Sequence, residues 1–210
     1  MRLYHFTTAY HGLDDIDRRR LKIATIPDLN DPFELLCVDL SNEKLRASMY
    51  RWKKSIGKRW GMLCFSANWE NSVQWSHYAE KHAGLCLGFD VADETAMPVT
   101  YDEQRSAGEA KKLLTTGKGD EALMKKFLST KYHHWAYEQE YRVYVDLVDI
   151  DPVTKLFFCD FGDALKLAEV IIGSESDVER AQVSAVLREL HSTVTVTNAR
   201  LAFKTFRVVT

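Results

Sequence analysis

Apolar positions recur along this chain in two rhythms, and the switches between them mark out its elements. Residues 2–7 alternate and are rich in aromatics, the period-2 pattern of a short strand. Residues 9–18 read as a helix with Leu13 and Ile16 on one face, and residues 21–26 as a second strand. Pro27-Asp28-Leu29-Asn30-Asp31-Pro32 forbids regular structure, because its prolines and Asx residues favour turns. Residues 33–38 are apolar but fit no single element. Residues 42–59 predict a basic helix. Residues 61–66 and 84–90 are apolar runs of strand length, predicted as buried strands, the first of them central. Gly88, inside the second run, predicts a close backbone approach or a bulge. Residues 71–81 predict a helix capped by Asn71 or Ser72.

Residues 102–134 are polar and predict two helices broken near Gly117-Lys118-Gly119, an insertion or lobe beside the sheet. Residues 140–148 alternate as a strand. Shorter strands are expected at 156–159 and at 167–172, the latter stopped by Gly173. Residues 177–190 form an amphipathic helix pattern, and 193–197 with 201–209 a C-terminal β pair. No internal repeat or low-complexity tract interrupts this order. It lacks the regular βα alternation of a doubly wound sheet, so the expectation is one α+β domain over 1–210. Neither GxGxxG nor GxxxxGK[ST] follows a strand, which argues against a Rossmann or P-loop nucleotide site.

Bulk composition narrows the class. The 210 residues suffice for one real core; 46% are hydrophobic and 28% charged, a globular balance. A net charge of -2 gives no global field toward nucleic acid or membrane. Cys37, Cys64, Cys86 and Cys159 are scattered, with no CxxC, and read as buried free thiols of a reducing compartment. No apolar stretch reaches the roughly 18 residues of a membrane span, and the start has no signal-peptide h-region, so a soluble, cytoplasmic chain is expected.

Four segments hold candidate chemistry. In Leu3-Tyr4-His5-Phe6-Thr7-Thr8, His5 and Thr7 can present an imidazole and a hydroxyl to a ribose or phosphate; a structural histidine among aromatics is the commoner role. In 72–78, Trp75 and Tyr78 lie three apart on one helix side and can stack a ring, although such aromatics are more often core. His77, His82 and Cys86 do not make a convincing metal set, because Gly84 interrupts them. In 135–142, Glu138, Glu140 and Arg142 would share one face of a strand. Burying two acids and a cation there is expensive without use or mutual pairing, and a solvated face is the plain alternative. Asn30-Asp31-Pro32-Phe33-Glu34 can cap a helix or order a loop over a site.

These segments also carry a resemblance. Leu-Tyr-His-Phe-Thr-Thr at 3–8, Asn-Asp-Pro-Phe-Glu at 30–34, Cys-Phe-Ser at 64–66, Trp-Ser-His-Tyr at 75–78, Gly-Leu-Cys-Leu-Gly-Phe-Asp at 84–90, Trp-Ala-Tyr-Glu-Gln-Glu-Tyr-Arg at 135–142 and Glu-Val-Ile-Ile-Gly at 169–173 occur in order. The set resembles the bacterial family called domain of unknown function 2971, which names no reaction. More distantly, the order of an early-strand His, a middle aromatic and a late Glu is similar to the ADP-ribosyltransferases. That resemblance implies a mixed, mainly antiparallel and split sheet with flanking helices. It implies NAD as substrate, and the residues themselves give no expectation of a metal. It places His5 on the adenosine ribose, Tyr78 or Trp75 against the nicotinamide, and Glu140, with Glu138 as the alternative, on the nicotinamide ribose. Arg142 would steer a phosphate or clamp one of the acids. It further implies a transferase of toxin or phage-defence type, a nucleic-acid or protein acceptor, and a cognate antitoxin or immunity partner. Two other readings stay open. One is a non-catalytic nucleotide or nucleic-acid binding module, with Lys53, Lys54 and Lys58 of the basic helix meeting phosphates. The other is a hydrolase or phosphodiesterase using His5 or His77, which lacks a second catalytic His or a GxSxG.

Overall fold

The computed structural model describes residues 1–116 and 119–210. Strand β1 (Arg2–Thr7) leads into α1 (Ala9–Arg18), capped by the Thr8 side chain, which accepts from the His11 N–H. Arg19 ends the helix in the left-handed region, and β2 (Arg20–Lys22) and β3 (Ala24–Thr25) follow. Helix α2 (Glu43–Ile56) starts at an Asn42 cap. Strand β4 (Trp60–Ser66) precedes α3 (Ser72–Tyr78), where Asn71 accepts from the Val73 and Gln74 N–H groups. Then come β5 (Leu85–Val91), β6 (Met97–Pro98) and β7 (Thr100–Asp102). Helices α4 (Ala107–Thr116) and α5 (Glu121–Ser129) run into β8 (Thr130–Tyr132). After a 3-10 turn (His133–Glu138) come β9 (Glu140–Asp146), β10 (Phe158–Asp160) and β11 (Leu165–Ile172). Helix α6 (Arg180–Leu187), β12 (Thr195–Asn198), β13 (Arg200–Leu201) and β14 (Val208–Val209) complete the chain.

The main sheet runs β12-β11-β5-β1-β4-β9-β6, with β3 also on β4. Its pairings are antiparallel except β11 with β12, so the α+β class with a mixed, mainly antiparallel sheet is the one observed. The pairing is uneven at the centre. Strand β1 pairs with β5 from Arg2↔Asp90 to Thr7↔Leu85, but meets β4 only at Tyr4↔Ser66. Strand β9 covers β4 along its whole length, from Trp60↔Asp146 to Ser66↔Glu140. The sheet is therefore two well-laddered halves joined by one weak seam.

One face packs α1 and α6 over Leu3, Leu63, Phe89 and Ile172. The other carries Trp75, Cys86, Ile171 and Val208. A second cluster joins Leu45 and Met49 of α2 to Leu123 and Phe127 of α5, so the helical segment expected as a lobe packs on α2. No described helix is long and apolar enough to cross a membrane.

Several boundaries move for local reasons. The helix expected over 71–81 stops at Tyr78 because Glu80, Lys81 and His82 all take positive φ. The strand expected over 21–26 divides into β2 and β3. The helix expected over 177–190 is α6 followed by a 3-10 turn (Arg188–Ser192) with Arg188 at φ 52. The expected break at Gly117-Lys118-Gly119 lies in part outside the described residues. The bulge suspected at Gly88 sits on its partner: the β11 register shifts between Leu167 and Glu169 opposite Gly88, and a Gly88 Cβ would lie 3.0 Å from the Glu169 Cβ. The cysteines are free, with Cys86 buried and the others half-buried.

Gly84 fastens the end of α3 to β1. A Cβ there would sit 2.2 Å from the Thr7 carbonyl oxygen and 2.9 Å from the Ala79 carbonyl carbon, both backbone atoms. Gly84→Ala is expected to cost about 3 kcal/mol in urea unfolding. Gly108→Ala, in α4 with nothing within 4 Å, should instead stabilise by about 0.5–1 kcal/mol. A second expectation concerns pH. Asp15 is buried on α1; burial, helped by Asp14 and opposed by Arg20, lifts its carboxyl to about 7. The native state thus keeps a proton that the unfolded chain has released. That contribution is full below the ordinary aspartate range and is lost as pH rises through about 7. Asp15→Asn should exceed wild-type stability by on the order of 1–3 kcal/mol near pH 8.5 and lose that advantage near pH 4, read by denaturation at each pH.

Candidate functional site

The weak seam between β1 and β4 opens into a cleft of about 250 Å³. His5 and Phe6 of β1, Ser66 of β4, Tyr78 of α3, and Glu138 and Glu140 before and on β9 line it. The His5 ring reaches across the seam: its Nδ1 lies 3.0 Å from the Cys64 carbonyl oxygen. A carbonyl only accepts, so Nδ1 carries the proton and Nε2 is the ring's acceptor. Burial lowers the His5 pKa, although the Cys64 bond works the other way, so the ring is neutral.

Beneath the cleft lies a buried ionic cluster of three carboxylates and two cations. Arg142 is fully buried, and all five of its N–H groups are used. Nε donates to Glu140 Oε1 at 2.9 Å. Nη1 donates to Glu34 Oε2 at 2.9 Å and to the Leu128 carbonyl at 3.0 Å. Nη2 donates to Glu34 Oε1 at 2.6 Å and to Glu140 Oε2 at 3.0 Å. Lys131 Nζ donates to Glu138 Oε2 at 2.5 Å and to Glu140 Oε2 at 3.2 Å. Tyr78 Oη donates to Glu138 Oε1 at 2.5 Å and accepts from Asn30 Nδ2 at 2.7 Å.

This wiring separates the two acids. Burial pushes the Glu140 carboxyl up, but Arg142 and Lys131 together outweigh it, and its pKa ends below the ordinary value. Burial dominates at Glu138, despite Lys131 and Tyr78, and raises it. Burial also opposes the Lys131 ammonium, but Glu140, Glu138 and Glu34 hold it charged. Glu140 is thus a fixed anion and Glu138 the more basic of the pair. Three acids against two cations leave the cluster with a formal charge of -1.

His5, Tyr78, Glu138 and Glu140 meet in one cleft. Three other expected members stand elsewhere. Trp75 is fully buried: its Nε1 donates to the Trp69 carbonyl at 2.6 Å, and its ring packs edge-on to Phe6 at 5.3 Å. It lies three positions before Tyr78, yet of the two only Tyr78 reaches the cleft, so stacking by Trp75 is corrected to core packing. Thr7 is covered by α1, with its Cγ2 against Gly12, and does not line the cleft. Arg142 has no donor left for a phosphate, so it clamps Glu140 and Glu34. The shared strand face is corrected too. Glu138 ends the 3-10 turn, Gln139 takes φ 44, and β9 starts only at Glu140. The left-handed Gln139 turns Glu138 back onto Lys131.

Lys131 is absent from the sequence candidates, and Glu34 enters them only as part of the 30–34 loop and not as a buried ionic partner. Glu34 had a signal, since an acid opening the apolar run Leu35-Leu36-Cys37-Val38 needs a partner if buried. Lys131 had none, because Thr130-Lys131-Tyr132 has no distinctive pattern. In the basic helix, Lys53 Nζ donates to the Pro32 carbonyl at 3.2 Å and so braces the 30–34 loop.

Replacing Arg142 with Met should cost about 3–5 kcal/mol, because it leaves Glu34 and Glu140 buried against Lys131 alone. Arg142→Met combined with Glu34→Gln should recover part of that loss. Urea unfolding of the single and double variants measures both; a double variant no better than Arg142→Met would show that the charge is not what was left unsatisfied.

No curated protein and no solved structure matches this chain. The family model described as "Protein of unknown function (DUF2971)" matches residues 74–143, from Gln74 beside the cleft through Lys131, Glu138, Glu140 and Arg142. The match covers one third of the chain and agrees with the resemblance to DUF2971 that the sequence motifs carry.

Proposed function

We propose that the cleft cleaves the nicotinamide–ribose bond of NAD and passes the ADP-ribosyl group to an acceptor, as an ADP-ribosyltransferase-like enzyme does. The observation that carries this reading is the convergence of His5, Tyr78, Glu138 and Glu140 on one cleft from three separate segments. In such a reaction the C–N bond breaks with its electrons going to nicotinamide. The ribose carbon gains positive charge, bonds the acceptor's nucleophile, and the acceptor loses a proton.

The two acids divide these tasks by their environments. Glu140, kept ionised by Arg142 and Lys131, faces the developing positive charge. Glu138, with its raised pKa, takes the acceptor's proton. His5 Nε2 accepts from a ribose hydroxyl, and Tyr78 offers its ring face to the nicotinamide. The formal charge of -1 beneath the cleft favours a substrate whose reacting end becomes cationic. A nucleic-acid or protein acceptor, a toxin or phage-defence setting, and a cognate antitoxin or immunity partner belong to the same proposal.

A second reading has one observation in its favour. Every carboxylate oxygen of Glu138 and Glu140 already holds a cation or hydroxyl partner, as in a rigid, non-catalytic nucleotide-binding module.

Nicotinamide release from NAD separates the two. Wild type should release it, and Glu140→Gln should release it about 100- to 1000-fold more slowly. Glu138→Gln should lose transfer to an acceptor more than it loses hydrolysis. His5→Ala should raise KM more than it lowers kcat. Thermal melting of each variant confirms that it is folded. Stabilisation by NAD without any release supports the binding module. Equal release by wild type and Glu140→Gln overturns the enzymatic assignment.

A further inference from the structure

A second cavity, of about 290 Å³, shares Lys131 with the cleft just described. Phe33, Leu36 and Tyr132 give it flat apolar walls, and Thr130, Gln104 and Arg105 add polar groups. Its volume is close to the roughly 300 Å³ at which small-ligand sites begin, enough to hold one ring system.

Thr130 is the pointer to a ligand. Its residue is 6% exposed, and its Oγ1 is buried with no hydrogen bond of ordinary geometry among the described residues. The Cys37 thiol beside it is only a weak partner. A buried hydroxyl left without a strong partner is costly, and a cavity beside it is where a ligand atom would relieve that cost. Phe33 is a second pointer. Its ring is 56% exposed at this cavity, an unusual position for a large apolar side chain, and the Arg105 guanidinium lies 4.9 Å from its centroid.

Charge selects the ligand's chemistry. Arg105 shares the lining with Asp102 and Glu103, so no surplus positive charge is offered to a phosphate or carboxylate. Aromatic walls, one orphan hydroxyl and one side-chain amide fit a flat ring with hydrogen-bonding edges. We infer that this cavity binds a neutral planar heterocycle of the nucleobase class, with its ring against Phe33 and Tyr132 and its edge hydrogen-bonded to Thr130 Oγ1. The inference does not rest on NAD cleavage in the first cleft.

Adenosine, guanosine, cytidine and uridine, each titrated into the full chain, test it by backbone amide shifts. At least one should saturate and move the amides of Leu36, Cys37, Arg105 and Lys131. Thr130→Val, which keeps the side chain's shape, should weaken that nucleoside about five-fold, the loss of one hydrogen bond. Phe33→Ala, at an exposed position, should weaken it further. Tyr78→Phe, in the first cleft, should leave it unchanged. No saturation by any of the four overturns the assignment. So does affinity insensitive to both Thr130→Val and Phe33→Ala, or affinity lost only in Tyr78→Phe. Indole binding as tightly as the nucleosides, and equally to Thr130→Val, would reduce the cavity to a nonspecific apolar hole. Failure of nicotinamide release leaves each of these outcomes unchanged.

Discussion

A guanidinium with no exposed surface must place every N–H on an acceptor, and Arg142 meets that condition by drawing distant segments together. Glu34 comes from the turn-rich loop after β3, the Leu128 carbonyl from the end of α5, and Glu140 from the same strand. Lys131 joins the cluster through Glu140 and carries Glu138 with it. The helical segment before β8 is therefore tied into the sheet by charge as well as by the apolar contacts of α5 with α2. Buried pairs of this kind rarely stabilise more than apolar residues of the same shape would. Their effect here is to specify one arrangement, because each alternative leaves a charge unpaired in the interior.

The same cluster explains why a cleft exists where it does. A sheet laddered evenly across β1 and β4 would close over Glu138 and Glu140. Pairing instead fails beyond Tyr4↔Ser66, and the His5 imidazole bonds to the Cys64 carbonyl across the seam. A side chain does there what backbone does elsewhere in the sheet, and it leaves a ring nitrogen free as an acceptor. Gly84 makes the neighbouring wall possible by letting the turn after α3 lie directly on the Thr7 carbonyl. Tyr78 is thereby held over Glu138.

What was legible in the sequence follows from which forces are local. Helix α1 matches its expected span because a Thr8 cap and an apolar face lie within a few residues of each other. The buried strands β4 and β5 were readable as unbroken apolar runs. His5, Tyr78, Glu138 and Glu140 were legible because polar groups set among aromatics invite explanation. Trp75 misled because helical spacing places two aromatics on one side but does not say which of them faces a sheet. Glu138 was assigned to a strand because alternation from Glu140 extends backward smoothly, and only the φ of Gln139 breaks it. Lys131 was invisible, since its meaning lies wholly in its partners at Glu138 and Glu140.

Lys131 is also where the two cavities meet, and that position constrains both. Its ammonium is fixed by Glu138 and Glu140, while the residue itself lines the second cavity beside Thr130 and Tyr132. A ring lodged against β8 would press on the strand that holds this ammonium in place. Among the described residues Glu138 has Lys131 as its sole cationic partner, whereas Glu140 has Arg142 as well. Any shift of Lys131 therefore changes the basicity of Glu138 first and leaves Glu140 ionised. In the proposed reaction, the acid whose charge depends on β8 is the one that would take the acceptor's proton, so a ligand in the second cavity would act on the first through Lys131.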